Sequence, residues 1–87
     1  MKKIIGIVRP FDITQTFYVY EDGNKIDIMS IPIEQMENHI LNLCEQYEIT
    51  QVDLTGPKQY IKGIQERVQK AELTKYNNNN KININII

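Results

Sequence analysis

The chain reads as an α/β fold: a five-stranded mixed sheet with elements in the order βββαβαβ, strands arranged 3-2-1-4-5, and both helices on one face. Three observations lead there. The first third of the sequence spends its apolar residues in β-type patterns, the spacing changes to threes and fours after Pro32, and two strand–helix–strand passages complete the chain. Passages of that kind return parallel and right-handed in nearly all proteins, which sets the helices on a common side.

The first strand is Ile4 to Val8, a continuous apolar run rich in β-branched residues, as expected of a central strand. Arg9-Pro10 ends it. The second runs from about Thr14 to Tyr20, with Phe17 and Val19 on one face and Thr16, Tyr18 and Tyr20 on the other. Glu21-Asp22-Gly23-Asn24 then offers residues that tolerate positive φ, and Lys25 to Ile31 alternates beyond it, so a hairpin is expected.

From Pro32 onward Ile33, Met36, Ile40, Leu43, Cys44 and Tyr47 line one face of a helix, whose first turn carries Glu34 and Glu37 where the dipole favours them. Ile49 to Leu54 is the fourth strand. After it Thr55 or Gly56 is the expected N-cap of a second helix, with Tyr60, Ile61, Ile64, Val68 and Ala71 inward. Gly63 within that helix costs about 1 kcal/mol against Ala, and close approach to the sheet is the expected reason. Asn77 to Asn80 reads as a polar loop. Ile82 to Ile87 alternates with asparagine, which makes a last strand with one dry and one polar face.

This order, with KKIIGIVRPF as central strand and ITQVDLTGP as its parallel neighbour, resembles the core of the ribonuclease H-like superfamily, which includes Holliday-junction resolvases, transposase cores and actin-like ATPases. The resemblance is one of topology and covers nearly the whole chain. For a nuclease of that superfamily it implies carboxylates on the first strand and near the end of the fourth, holding two metal ions. The first strand here has none, and the fourth offers Asp53 in mid-strand and Thr55 at its end. The glycine-rich phosphate loops implied for the actin-like branch are missing too. The resemblance therefore implies a scaffold without that chemistry, and no catalytic residue, metal or cofactor is expected.

Composition narrows the classes further. The 87 residues make one expected domain spanning 1–87, small enough for its stability to be marginal. A formal net charge of -1 lacks the basic excess of proteins that grip phosphate backbones. One cysteine, Cys44, excludes an intrachain disulfide and fits a reducing compartment, so a cytoplasmic location is expected. The apolar run after Met1 is too short for an export signal or a membrane span.

Two places could carry a site. In open α/β sheets ligands sit beyond the carboxyl ends of the parallel strands, here between Val8 and Leu54. Arg9, Thr55, Gly56 and Lys58 form a candidate anion site there, against the plainer reading that Thr55 caps a helix and both cations are solvated. The second place is the face opposite the helices. It would carry Ile5 and Ile7, Tyr18 and Tyr20, and either Met29 and Ile31 or the alternate set, leaving several hundred Å² of apolar surface wet. Long side chains such as Arg9, Gln15 and Lys25 are the alternative cover.

Self-association through that face, or through the terminal strand edge, is the expected mode: a small non-enzymatic binding or assembly homodimer of bacterial or phage type, with a protein as further partner. A nucleic-acid binder using Arg9, Lys58, Lys62 and the tyrosines ranks second. A nuclease with Asp12 or Asp53 as substitute ligands ranks third. His39 is expected to be an exposed helix residue and Cys44 a buried hydrophobe, neither chemical, and Asp12, Asp22 and Asp27 a solvated set.

Overall fold

The structure, a computed structural model, describes residues 1–75 and 82–87, with residues 71–75 described by their backbone alone. The expected asparagine loop and the inward side chain of Ala71 lie outside the described residues. Five strands, β1 (Lys2–Ile7), β2 (Thr14–Glu21), β3 (Asn24–Pro32), β4 (Gln51–Thr55) and β5 (Asn83–Ile86), form one sheet in the order β3-β2-β1-β4-β5. β1 pairs antiparallel with β2 and parallel with β4, and β4 pairs parallel with β5. The helices are α1 (Met36–Tyr47) and α2 (Lys58–Lys75).

One core forms between the helices and a single face of the sheet. Ile4, Phe17, Val19, Ile31, Val52 and Leu54 from the strands meet Ile40, Leu41, Ile61, Ile64 and Val68 from the helices, all essentially without solvent contact. The period-two pattern places these strand residues on one side, which is why both helices had to land there. Gly6 belongs to the same face. A Cβ on it would come within 2.7 Å of a Leu54 methyl and 2.9 Å of the Phe17 ring, so glycine is what lets Phe17 lie across β1.

The hairpin between β2 and β3 turns on Asp22 and Gly23, both at positive φ (52° and 85°), the pair that a two-residue type I′ turn requires. A bulge follows. Tyr20 faces Lys25 and Val19 faces Asp27, leaving Ile26 as the extra residue. A single 3-10 turn over Ile33–Gln35 leads into α1, so the regular helix starts a turn later than Pro32 suggested. α1 ends at Glu48 in the left-handed region (φ 55°), with the amide of Ile49 closing back on Cys44 at 2.8 Å.

Two local expectations are corrected. The carbonyl of Pro57, not of Thr55 or Gly56, accepts the first α2 bond, from Ile61 at 3.1 Å, because Thr55 is still in β4 and its carbonyl takes the amide of Val8. Gly63 does not approach the sheet: the group a Cβ would meet is the guanidinium of Arg67, at 3.2 Å. That side chain reaches across to pair with Glu37 of α1.

Candidate functional site

At the carboxyl ends of β1 and β4 the two expected loops do come together. The amide of Val8 donates to the carbonyl of Thr55 at 2.8 Å, and Gly56 (φ 151°) passes so close that a Cβ would stand 2.5 Å from the carbonyl oxygen of Val8. Arg9 and Lys58 are exposed there. Three backbone donors here are already used, however. Val8 bonds Thr55, Asp12 bonds the carbonyl of Arg9, and the amide of Arg9 donates to the side-chain oxygen of Gln15. With those three withdrawn, an anion at this end would draw mainly on the first turn of α2 and on the Arg9 and Lys58 side chains.

Gln15 is the residue that sequence reasoning misplaced. It was expected among the long side chains that cover the helix-free face, yet it points to the helix side and is 2% exposed. Its amide nitrogen donates to the carbonyls of Arg9 (2.7 Å) and Asp12 (2.9 Å), so one side chain ties down the whole β1–β2 loop. The signal was available in the alternation of β2, where Gln15 shares the phase of Phe17 and Val19. The tethered loop presents Phe11, fully exposed, and Ile13 to solvent.

The face without helices holds the second candidate. Register fixes a row across it: Ile28, Tyr18, Ile5, Asp53 and Asn85, on β3, β2, β1, β4 and β5 in turn. Ile7 and Thr16 lie on one side of that row and Lys3 with Tyr20 on the other. The rings of Tyr18 and Tyr20 are 6.4 Å apart and tilted by 52°, and the ammonium of Lys25 stands 5.5 Å from the centre of the Tyr18 ring. Met29 and Ile31 are not here; both pack into the core, and the exposed pair is Ile26 and Ile28. The bulge at Ile26 decides this, and a bulge cannot be placed from alternation alone.

Asp53 stands out on this face. Only 7% exposed, it lies in mid-strand with Asn85 at 3.2 Å, Gln51 at 3.4 Å and the ammonium of Lys3 at 3.6 Å. It does not gather with the other carboxylates. Asp12 is exposed in the loop, and Asp22 pairs with the ammonium of Met1, whose hydrogen bond and charge hold its carboxyl below the usual range. Asp27 accepts a 2.9 Å bond from the hydroxyl of Tyr47 on the helix side. That bond, ahead of desolvation and charge, pushes the Tyr47 hydroxyl above its ordinary pKa.

Among the described residues no group of three or more His, Cys, Asp or Glu could hold a metal ion. His39 is half-buried on α1 rather than exposed, and Cys44 is buried in the core. No helix of the described residues is long and apolar enough to cross a membrane. The residues named for nucleic-acid binding do not share a surface: Arg9 and Lys58 stand at the strand ends and Lys62 on the exposed side of α2, while Tyr18 and Tyr20 lie on the opposite face of the sheet.

No protein-family model and no curated protein matches the chain. Among solved structures it is similar to a Bacteroides thetaiotaomicron protein described as having an actin-like ATPase fold and unknown function. The TM-score is 0.71 at 18% identity, over 99% of this chain and 32% of that one. The chain thus spans about a third of its neighbour's length, and the likeness is one of fold alone.

The ribonuclease H-like resemblance, which took in nucleases and actin-like ATPases together, is corrected by this match to the actin-like ATPase fold. Its basis had been element order, and βββαβαβ with strands 3-2-1-4-5 fits the actin-like arrangement equally well. Order could not separate the two. The topology itself stands as expected, including both helices on one face.

Proposed function

We propose that this chain is a small non-enzymatic binding or assembly module that works as a homodimer, with a second copy closing its helix-free sheet face. The observation that supports the reading is the apolar patch of Ile5, Ile7, Tyr18 and Tyr20, continued by Ile26 and Ile28 at 46% and 55% exposure, over which no described helix lies. Soluble chains rarely leave so continuous an apolar surface wet, and its aromatic content is that of contact surfaces. A closed two-fold dimer is the commonest way for one chain to cover such a face.

The absence of enzymatic work in this reading rests on the loops at the strand ends. The amides of Val8, Arg9 and Asp12 are taken up within the fold, and no carboxylate stands on β1. A cytoplasmic setting accompanies the reading, since a single cysteine can form no intrachain disulfide of the kind small secreted domains carry. Light scattering over a concentration series tests it. The mass should rise from monomer toward dimer with concentration, and a constant monomer mass at the highest concentration would remove the proposal.

A further inference from the structure

Asp53 poses a problem that the fold does not answer. It and Gln15 are the buried polar side chains among the described residues, and Gln15 is held by short bonds while Asp53 is not. Charge-assisted bonds to a carboxylate run about 2.7–2.9 Å. The contacts of Asp53 are 3.2, 3.4 and 3.6 Å, so its oxygens keep room for another donor. A secluded charge without strong partners costs stability, and an apolar residue on this row beside Ile5 would serve the sheet better. Lys3, 41% exposed, likewise has donors to spare.

Resting on the self-association reading above, we propose that Lys3 and Asp53 pair across the dimer contact, the ammonium of each copy with the carboxylate of the other. The register supports such an exchange. Two rows cross the open face: Tyr18, Ile5, Asp53 and Asn85, and beside it Tyr20 and Lys3 with Gln51 and Asn83. A two-fold axis running between the rows lays each upon the other. Tyr20 then covers Tyr18 of the second copy, Gln51 covers its Asp53, and Lys3 stands one strand spacing, about 4.8 Å, to the side of that carboxylate.

Facing sheets lie about 10 Å apart, a gap that a lysine on one and an aspartate on the other bridge together. The face thus sets tyrosine on tyrosine and cation beside anion, while Lys25, next to Tyr20 in the second row, comes over Ile28 of the second copy. Its size suits a weak contact. Five strands about 4.8 Å apart and averaging about 21 Å in length present a face of roughly 500 Å², so two copies bury on the order of 1,000 Å², the lower end for a specific dimer.

The test uses Lys3→Asp and Asp53→Lys in the full chain, each alone and mixed in equal amounts, followed by sedimentation equilibrium beside the wild type. Within either variant both the internal and the crossed pair are like-charged. In the mixed dimer the internal pairs stay broken and the crossed pairs are opposite again. Each variant alone should associate at least about tenfold more weakly than wild type, the effect of one lost close pair, and the mixture should recover to near the wild-type constant.

A wild type that dimerises beside a mixture that does not recover overturns the exchange and leaves self-association standing. A wild type that stays monomeric overturns both. Should either reversal not fold by circular dichroism, Asp53→Asn decides: weaker association by a variant that keeps the wild-type circular dichroism supports the exchange, and wild-type association refutes it.

Discussion

The two faces of this sheet are made by the same strands, yet they obey different rules. On the helix side the centre of the sheet is settled by volume: Phe17 crosses β1 only because Gly6 leaves room, and Ile4, Val19, Val52 and Leu54 fill what remains. On the other side a row running Ile28, Tyr18, Ile5, Asp53, Asn85 passes from apolar to polar, with a carboxylate secluded where volume alone would choose a hydrocarbon. The first face is fitted to the chain's own helices. The second is fitted to nothing the described residues provide, which is the reason for proposing that a second copy covers it.

That contrast can be broken most forcefully at Phe17. Phe17→Ala should cost about 3–5 kcal/mol, the usual effect of emptying a buried aromatic site, whereas Tyr18→Lys one residue on should cost only about 1 kcal/mol, the span of strand propensities. Urea unfolding of both reads the difference. Similar losses would mean that the faces are not distinct.

Gln15→Ala comes next. It removes three bonds from a secluded side chain and strands the Arg9 amide, so a loss of about 1–3 kcal/mol is expected. Faster amide exchange confined to residues 9–13 should accompany it, and an exchange pattern unchanged there would show that the loop is held by something else.

The smallest effect lies at Tyr47, where α1 meets β3. Because the folded state holds the hydroxyl proton more tightly than the unfolded chain, the contribution is complete below the ordinary value of 10.0 and disappears as pH rises through the higher folded value. Stability measured from pH 9 to 11.5 should therefore fall more steeply in wild type than in Tyr47→Phe. Parallel curves would sever the Tyr47–Asp27 link.

How much of this was legible beforehand follows from the physics of each element. Alternation in β2 and in Ile82 to Ile87, the Asp22-Gly23 turn and the three-and-four spacing of α1 each have one structural solution, and the rule of right-handed crossovers converted them into the sheet order. β3 did not yield in the same way. Its bulge at Ile26 exchanges the phase of the strand, so Met29 and Ile31 went to the core and Ile28 to the open face. Asp53 was readable as a mid-strand carboxylate but not as a secluded one, because that depends on Lys3 and Asn85 from strands 50 and 32 residues away along the chain. The same dependence on distant contacts kept element order from choosing between two folds that share it.

Sedimentation equilibrium and chemical unfolding, run together on wild type and Tyr18→Lys, test the central claim most directly. If the open face serves association rather than stability, the wild type will form a dimer with rising concentration and the variant will remain a monomer at nearly the wild-type unfolding free energy. A wild type that never leaves the monomer, or a variant that dimerises as well as its parent, would contradict it.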